Sequence, residues 1–151
     1  KQVELDIMGG DTLIDQVVIE QLKTPLTHLF RNAFDHGIES PPERQQANKA
    51  QVAKIRLGAR VLGNQVMVTI ADDGRGIDLE KVAQRAVQMG LGSALQLERL
   101  SRDQLLQFIF TPGFSTATGV TDLSGRGVGL DVVKLEVENL RGTVRVETMS
   151  G

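Results

Sequence analysis

Two segments of alternating apolar and polar residues, joined by a short turn, constrain the fold of this chain more than any other feature. Apolar side chains recur at every second position over residues 55–59 and again over 66–70, with Gly63-Asn64 between the two segments. This period places side chains alternately on the two faces of a strand, and a glycine-containing turn between such segments is typical of a β-hairpin. Similar alternation over 3–7 and 144–146 predicts short strands there as well.

Helices are predicted over residues 25–36, 78–89, 101–109 and 129–140. The first is framed by Thr24 and Pro25, a favourable N-cap and first-turn pair, and by Gly37 after its last turn. The polar stretch 40–51 predicts a loop or a short exposed helix. Together these elements predict an α+β fold, namely a two-layer α/β sandwich with a mixed, mostly antiparallel sheet and helices on one face.

Composition narrows the class of protein. The 151 residues fit one ordinary domain, and a net charge of −2 gives no basic excess that would indicate nucleic-acid binding. The absence of cysteine excludes disulfides and thiolate metal sites. No apolar run reaches membrane length, and residues 1–10 lack the apolar core of a signal peptide. We therefore expect a soluble, cytoplasmic, single domain over 1–151, with no membrane insertion, cut from a longer polypeptide.

Three polar residues are spaced i, i+4, i+8 on the first predicted helix: His28, Asn32 and His36. This spacing places them in one row, beside the apolar face formed by Leu26, Leu29, Phe30, Ala33 and Phe34. An amide oxygen in such a row can hold Mg²⁺, and an imidazole can orient a phosphate or a water molecule. The alternative is a set of boundary residues with local hydrogen bonds. A zinc site is disfavoured because no cysteine and no matching glutamate pair accompanies the two histidines.

Asp72 ends the second strand of the predicted hairpin and shares parity with Val66, Val68 and Ile70, so its side chain is expected to point inward. A buried carboxylate can accept the exocyclic amino hydrogen of adenine and disfavour guanine, which presents an oxygen at the corresponding atom. Gly74 and Gly76 would let a flat base approach the backbone. The alternative is a plain Asp-Gly turn after a strand.

A second glycine cluster, over residues 125–129, runs directly into the last predicted helix. Bare amides and the positive end of the helix dipole favour phosphate there. The cluster is not a Walker loop, because no Gly-Lys-Ser/Thr follows it. A flexible turn without a ligand is the alternative.

Taken together, four motifs resemble the N, G1, F and G2 boxes of the GHKL ATPase superfamily, which has the Bergerat ATP-binding fold. They are HLFRNAFDHGIE (28–39), DDGRGID (72–78), FIFTPGFST (108–116) and GRGVGLDVV (125–133). The N box is most similar to that of CheA-like chemotaxis histidine kinases. Gyrase-type and MutL-type ATPases have a glutamate four residues before the asparagine, as base for attacking water, where this chain has His28.

The resemblance implies a protein-histidine kinase that binds ATP and Mg²⁺ and transfers the γ-phosphoryl to a histidine on a separate phosphotransfer domain. Asn32 would ligate Mg²⁺, His28 and His36 would lie near the triphosphate as catalytic residues, and Asp72 would hold adenine. The other implied nucleotide-binding positions are Asp35, Gly74, Gly76, Ile77, Lys81, Phe114, Ser115, Thr116, Gly125, Arg126, Gly127, Val128, Gly129 and Leu130. An exposed helix lysine is the alternative for Lys81.

The resemblance also implies a lid from Phe114 to Ser124, anchored by Phe108 and Phe110, and partners that bind outside this chain. Those partners are a response regulator and coupling or receptor proteins. A further GTxFxxxxP-like box of the family is absent here, and we expect it beyond Gly151.

Three other functions share these motifs. A GHKL ATPase that drives a conformational change would need a glutamate in place of His28. A serine kinase of the anti-sigma type typically keeps that glutamate too. A nucleotide-sensing pseudokinase would bind ATP and transfer nothing.

Overall fold

A computed structural model describes residues 1–114 and 129–149. The described chain divides into two compact units, the first over Lys1–Gly76 and the second over Ile77–Met149. In the described residues, no helix has both the length and the apolar character needed to span a bilayer.

The first unit contains a three-stranded sheet in the order β1-β2-β3, formed by β1 (Val3–Met8), β2 (Ala53–Leu62) and β3 (Gln65–Asp72). Strand β1 pairs with β2 in parallel, whereas β2 and β3 form an antiparallel hairpin. The hairpin is therefore confirmed, and Gly63 in its turn has a φ of +61°, which favours glycine. A mixed sheet combined with helices confirms the predicted α+β class.

Helix α1 spans Gln16–Asn32, so the predicted start at Pro25 is wrong. Asp15 is the N-cap, since its carboxylate accepts a hydrogen bond from the Val17 amide at 2.8 Å. Pro25 lies inside the helix, where its ring is buried. Proline is normally disfavoured in a helix interior because it lacks the amide donor. Burial of the apolar ring offsets part of that cost here.

The polypeptide leaves α1 through a π turn over Ala33–Gly37, closed by a hydrogen bond of 2.8 Å from the Ile38 amide to the Ala33 carbonyl. A π turn bonds i to i+5 instead of i to i+4. The predicted row with α-helical spacing therefore holds from His28 to Asn32 but not onward to His36. The wider turn also leaves Phe34, predicted to face the core, 42% exposed.

The core of the first unit lies between the end of α1 and one face of the sheet. Its buried residues are Ala33, Ile38, Ala53 and Ile55, and Val3, Phe30 and Ile70 pack against them. Helix α2 (Pro41–Gln46) then follows the π turn, capped by Ser40 and Glu43 in a capping box. This short helix was one of the two alternatives predicted for residues 40–51.

The second unit is helical in its described part. It contains α3 (Leu79–Gln88), α4 (Ala94–Leu97), α5 (Arg102–Gln107), a 3₁₀ turn (Phe108–Phe110) and α6 (Leu130–Asn139). The predicted Asp78 N-cap and the Ser101/Gln104 capping box are both present. Helix α4 was not predicted, although Ser93 and Gln96 form a third capping box. The core of this unit consists of Val82, Ala86, Leu97, Ile109, Phe110 and Phe114.

The strand predicted around Val144 and Val146 is wrong, because residues 142–149 form no strand in the part of the chain described here. Their alternation instead reflects packing onto a helical core. Val144 and Val146 pack against the core of the second unit, whereas Arg145 and Glu147 are exposed and pair with each other at 3.3 Å. An alternating pattern requires one buried face, and helices can provide that face as well as a sheet.

Candidate functional site

The π turn and the turn after β3 meet directly within the first unit. The Arg75 amide donates a hydrogen bond of 2.9 Å to the Gly37 carbonyl. A Cβ on Gly74 would overlap that same carbonyl oxygen. The structure thus brings together the C-terminal end of the HLFRNAFDHGIE segment and the start of the DDGRGID segment, and it requires glycine at position 74 for the contact.

Asp72 lies at this junction. It pairs with Ile55 in the hairpin register, so its side chain points to the face that carries the core, as its parity predicted. The predicted burial is wrong, because Asp72 is exposed at the end of β3. One carboxylate oxygen accepts a hydrogen bond of 2.9 Å from the Gly74 amide, and a Cβ on Gly37 would lie 3.1 Å from the same oxygen. The carboxylate therefore lies between two glycines, and its other oxygen accepts no hydrogen bond from the residues that the structure describes.

The polar row on α1 is only partly enclosed. His28 and Asn32 are half-buried, whereas His36 and Asp35, both on the π turn, are exposed. In the part of the chain that the structure describes, the side chains of His28, Asn32 and His36 form no hydrogen bond with other residues. The Asn32 amide oxygen is therefore available to a ligand. The Lys1 ammonium donates a hydrogen bond of 3.0 Å to the backbone carbonyl of Asp35.

His28 lies in a hollow of about 240 Å³ on α1, which we call the α1 hollow; it is also lined by Lys23, Thr24, Thr27 and Arg31. The hollow combines the Arg31 guanidinium, hydroxyl groups and an imidazole with Lys23, whose ammonium already pairs with Glu20 at 2.7 Å. These groups are complementary to an anion such as phosphate. Asn32 is not among its lining residues, so the hollow includes only the His28 end of the predicted row.

Four charged side chains form a network on the other face of the β3 end: Glu39, Arg44, Lys49 and Asp73, hereafter the Arg44 network. The Arg44 side chain is only 2% exposed. Its guanidinium pairs with Glu39 at 3.1 Å and with Asp73 at 2.9 Å, while Lys49 pairs with Glu39 at 2.8 Å. The sequence predicts a loop or a short exposed helix over residues 40–51, so the burial of Arg44 is a correction. Its partner Asp73 is distant in sequence, which is why the local pattern did not reveal the network.

The pKa values of both carboxylates in the network lie below their ordinary values. Burial raises the pKa of Asp73, but the Lys54 amide, the Arg44 guanidinium and Lys49 lower it by more, so that it lies below the ordinary value of 3.8. Burial likewise raises the pKa of Glu39, whereas Lys49 and Arg44 bring it below 4.5. Two cations therefore balance two anions in this network.

The described part of the second unit holds five of the predicted nucleotide-binding residues. Lys81 is exposed and pairs with Asp78 at 3.4 Å, which fits the alternative of a helix surface lysine. The Ile77 amide donates to the Thr148 hydroxyl at 2.8 Å. Phe114 belongs to the core of the unit, and Leu130 packs against that core. At Gly129, the N-cap of α6, a Cβ would lie 2.5 Å from a carboxylate oxygen of Asp131.

Asp131 therefore brings a negative charge close to the start of α6, where the sequence predicted a phosphate site. Acidic side chains are favourable in a first helical turn. In the first unit, predicted Gly76 has a φ of +71°, a conformation that favours glycine. The other predicted positions of the second unit lie outside the described residues; they are Ser115, Thr116, Gly125, Arg126, Gly127 and Val128, and the rest of the predicted lid, up to Ser124, lies there as well.

Comparison with known proteins identifies the family. A family model described as "Histidine kinase-, DNA gyrase B-, and HSP90-like ATPase" matches residues 19–151. The chain is 44% identical over its full length to 22% of the chemotaxis protein CheA of Bacillus subtilis. It is 40% identical over its full length to 19% of the sensor histidine kinase CheAY of Helicobacter pylori. It is also 44% identical over its full length to 19% of the gliding motility regulatory protein of Myxococcus xanthus.

The chain thus spans about a fifth of the length of these relatives. Their similarity confirms the resemblance to CheA-like kinases that the N box predicted. With a family model that covers all but the first 18 residues, the chain belongs to the family of histidine kinase-, DNA gyrase B- and HSP90-like ATPases.

Proposed function

We propose that this chain is the ATP-binding catalytic domain of a CheA-like two-component histidine kinase, which transfers the γ-phosphoryl of ATP to a histidine on a separate phosphotransfer domain. The family is one of ATPases, and two of the relatives carry the names CheA and sensor histidine kinase. The observation that supports the proposal most is the position of the Asp72 carboxylate, held beside Gly37 and Gly74 where the two motif segments meet.

Asp72 is proposed to select adenine. One of its oxygens is engaged by the Gly74 amide, which leaves the other to accept the exocyclic amino hydrogen of the base. Guanine in the same orientation would present an oxygen acceptor to the carboxylate, which is repulsive. Gly37 and Gly74 pack directly against each other and against this carboxylate, so they fix its position at the junction.

Asn32 is proposed to hold Mg²⁺ through its amide oxygen. Among the described residues, no group of three or more histidine or carboxylate side chains could hold a metal ion. A single oxygen ligand from the protein nevertheless fits Mg²⁺, which typically keeps several waters and binds substrate phosphates. When bound, the ion would neutralise negative charge on the phosphates.

His28 is proposed to orient the phosphates, because the α1 hollow that contains it also carries the guanidinium of Arg31. His36 and Asp35 are proposed nucleotide contacts on the neighbouring π turn. In the reaction, a nitrogen of the acceptor imidazole forms a bond to the γ-phosphorus as the bond to the bridging oxygen breaks. ADP leaves with that electron pair, and the imidazole proton passes to solvent. Positioning and charge neutralisation provide most of the catalysis in such transfers.

The other proposed contacts rest on the family resemblance alone. In the first unit this applies to Gly76, and in the second unit to Ile77, Lys81, Phe114, Gly129 and Leu130. A cytoplasmic location is likewise proposed, together with a response regulator and receptor-coupling proteins as partners of other parts of the full protein.

Incubation of the chain with radiolabelled ATP, Mg²⁺ and an isolated His-phosphotransfer domain tests the function. We expect label on that domain, and its loss in Asn32→Ala. Asn64→Ala, the same change in the exposed hairpin turn, is the matched control and should transfer label normally. Rapid hydrolysis without an acceptor would instead indicate an ATPase. Binding of ATP with no transfer would indicate a nucleotide-sensing module. Titration calorimetry with a non-hydrolysable ATP analogue measures binding separately from transfer.

A further inference from the structure

The guanidinium of Arg44 connects three separate segments of the first unit. Its Nε donates to the Ala50 carbonyl at 2.6 Å, in the loop before β2. Its Nη1 donates to Glu39 at 3.1 Å, two residues after Gly37. Its two terminal nitrogens contact the Asp73 carboxylate at 3.2 and 2.9 Å. A planar guanidinium can satisfy such a fork of acceptors, whereas the ammonium of lysine cannot match it.

The Arg44 network also holds the backbone of the turn after β3. Arg44 Nη1 lies 3.3 Å from the Asp73 carbonyl. Lys49 donates to the same carbonyl at 3.3 Å and to the Gly74 carbonyl at 2.9 Å. The Asp73 carboxylate in turn accepts the Lys54 amide at 3.0 Å, which attaches it to β2. The turn is therefore held by side-chain contacts as well as by the sheet.

Asp72 and Asp73 are adjacent, and their side chains point to opposite faces of the strand end. The cations of the Arg44 network bind Asp73 on one face of the strand end, whereas the Asp72 side chain lies on the other face. Through Glu39, the same guanidinium also fixes the chain that leaves Gly37. The two segments that flank the Asp72 carboxylate are thus joined by one buried cation, although Arg44 itself contacts neither Asp72 nor Gly37 among its hydrogen bonds.

We propose that Arg44 is a positioning residue that sets the purine selectivity of the nucleotide site by fixing the distance between the Gly37 turn and the Asp72 carboxylate. This inference rests on the proposed function. A shift of the turn would move the carboxylate relative to the base edge, and a hydrogen bond weakens steeply when its geometry departs from linearity. Selectivity for adenine should therefore depend on a residue that does not touch the nucleotide.

The test compares the dissociation constants of non-hydrolysable ATP and GTP analogues, each with Mg²⁺, for the unmodified chain and for Arg44→Lys. The ratio of the two constants is the readout. It is not changed by a lower folded fraction, because both nucleotides report on the same folded molecules. We expect the preference for ATP to fall by about tenfold in Arg44→Lys. Arg56→Lys, an exposed arginine on β2, is the matched control and should keep the preference of the unmodified chain.

A ratio in Arg44→Lys within about twofold of the unmodified value would overturn the inference. If that variant does not fold, Asp73→Asn provides the same measurement, because the amide oxygen can still accept the Lys54 amide, whereas the charge and the oxygen that accepts from Arg44 Nη2 are lost. An unchanged ratio in that variant would likewise overturn the inference. An unmodified chain that binds neither nucleotide would instead overturn the proposed function, so the two failures are distinguishable.

Discussion

Gly74 packs against Gly37 so closely that a Cβ on Gly74 would overlap the Gly37 carbonyl oxygen. The obstacle is backbone, which cannot rotate away as a flexible side chain could. The same carbonyl accepts the Arg75 amide at 2.9 Å, so moving it would also break a hydrogen bond. The contact between these two glycines therefore sets how closely the two segments of the candidate site can approach each other.

Gly74→Ala should destabilise the chain by about 1–3 kcal/mol, the usual cost of inserting a methyl group into a filled space. It should also weaken ATP binding, because the Asp72 carboxylate lies at the same junction. Urea denaturation measures the first effect and calorimetric titration the second. Gly10→Ala is the control, since the nearest atom to a Cβ at that position is an Ile7 methyl carbon at 4.0 Å. Equal stability of the two variants would contradict the tight contact.

Asp72→Asn should weaken ATP binding by about tenfold or more and lower the preference over GTP. The amide oxygen can still accept the Gly74 amide, but its NH₂ group would face the amino group of adenine as donor against donor. Because Asp72 is exposed, we expect little change in the free energy of unfolding. Competition binding of ATP and GTP analogues provides the measurement. An unaltered ratio would show that Asp72 does not contact the base.

Arg44→Met should cost about 3–5 kcal/mol of stability, because it leaves the carboxylates of Glu39 and Asp73 without their buried cation. Adding Asp73→Asn removes one unpaired charge, so the double variant should lose less than the sum of the two single variants. Urea denaturation of all four proteins in the cycle measures this coupling. Additive losses would indicate that the pair does not interact in solution.

Stability should fall in acid through the Arg44 network. Asp73 and Glu39 have pKa values below their ordinary 3.8 and 4.5 when folded. A carboxylate with a depressed folded pKa stabilises the fold above its unfolded pKa, and this contribution is lost as pH falls through the folded value. The free energy of unfolding should therefore decline below about pH 4.

Asp73→Asn removes one of these titrating groups. The Asp73→Asn variant should consequently lose less stability between pH 7 and pH 3 than the unmodified chain does. Urea denaturation at a series of pH values compares the two slopes. Parallel curves would mean that the ionised form of Asp73 does not stabilise the fold.

Local patterns predicted the elements that depend on nearby residues. The hairpin follows from its alternation and from the turn at Gly63-Asn64, and the helix at Asp78 follows from a cap that binds amides two and three residues away. The Thr24-Pro25 pair led to a wrong predicted start for α1, because a cap and a first-turn proline are local preferences that tertiary packing can override. Asp15 provided the actual cap.

The motifs identified Asp72 and Gly74 as candidate residues, and the structure places both at the junction of the two segments, while their roles in nucleotide binding stay predictions. The sequence could not reveal the Arg44 network, because Arg44 and Asp73 are 29 positions apart and only the fold brings them together. The π turn was also missed. Nothing in the spacing of Asn32 and His36 distinguishes a five-residue turn from a four-residue one, since both keep the chain helical.

The π turn makes the chain length between Asn32 and Gly37 as important as the residues within it. Deleting one residue there would let the ordinary four-residue bonding resume and would rotate everything that follows by about 100°. Gly37 would then no longer meet Gly74. Variation in this segment should consequently occur by replacement of side chains, because insertion or deletion would dismantle the junction as a whole.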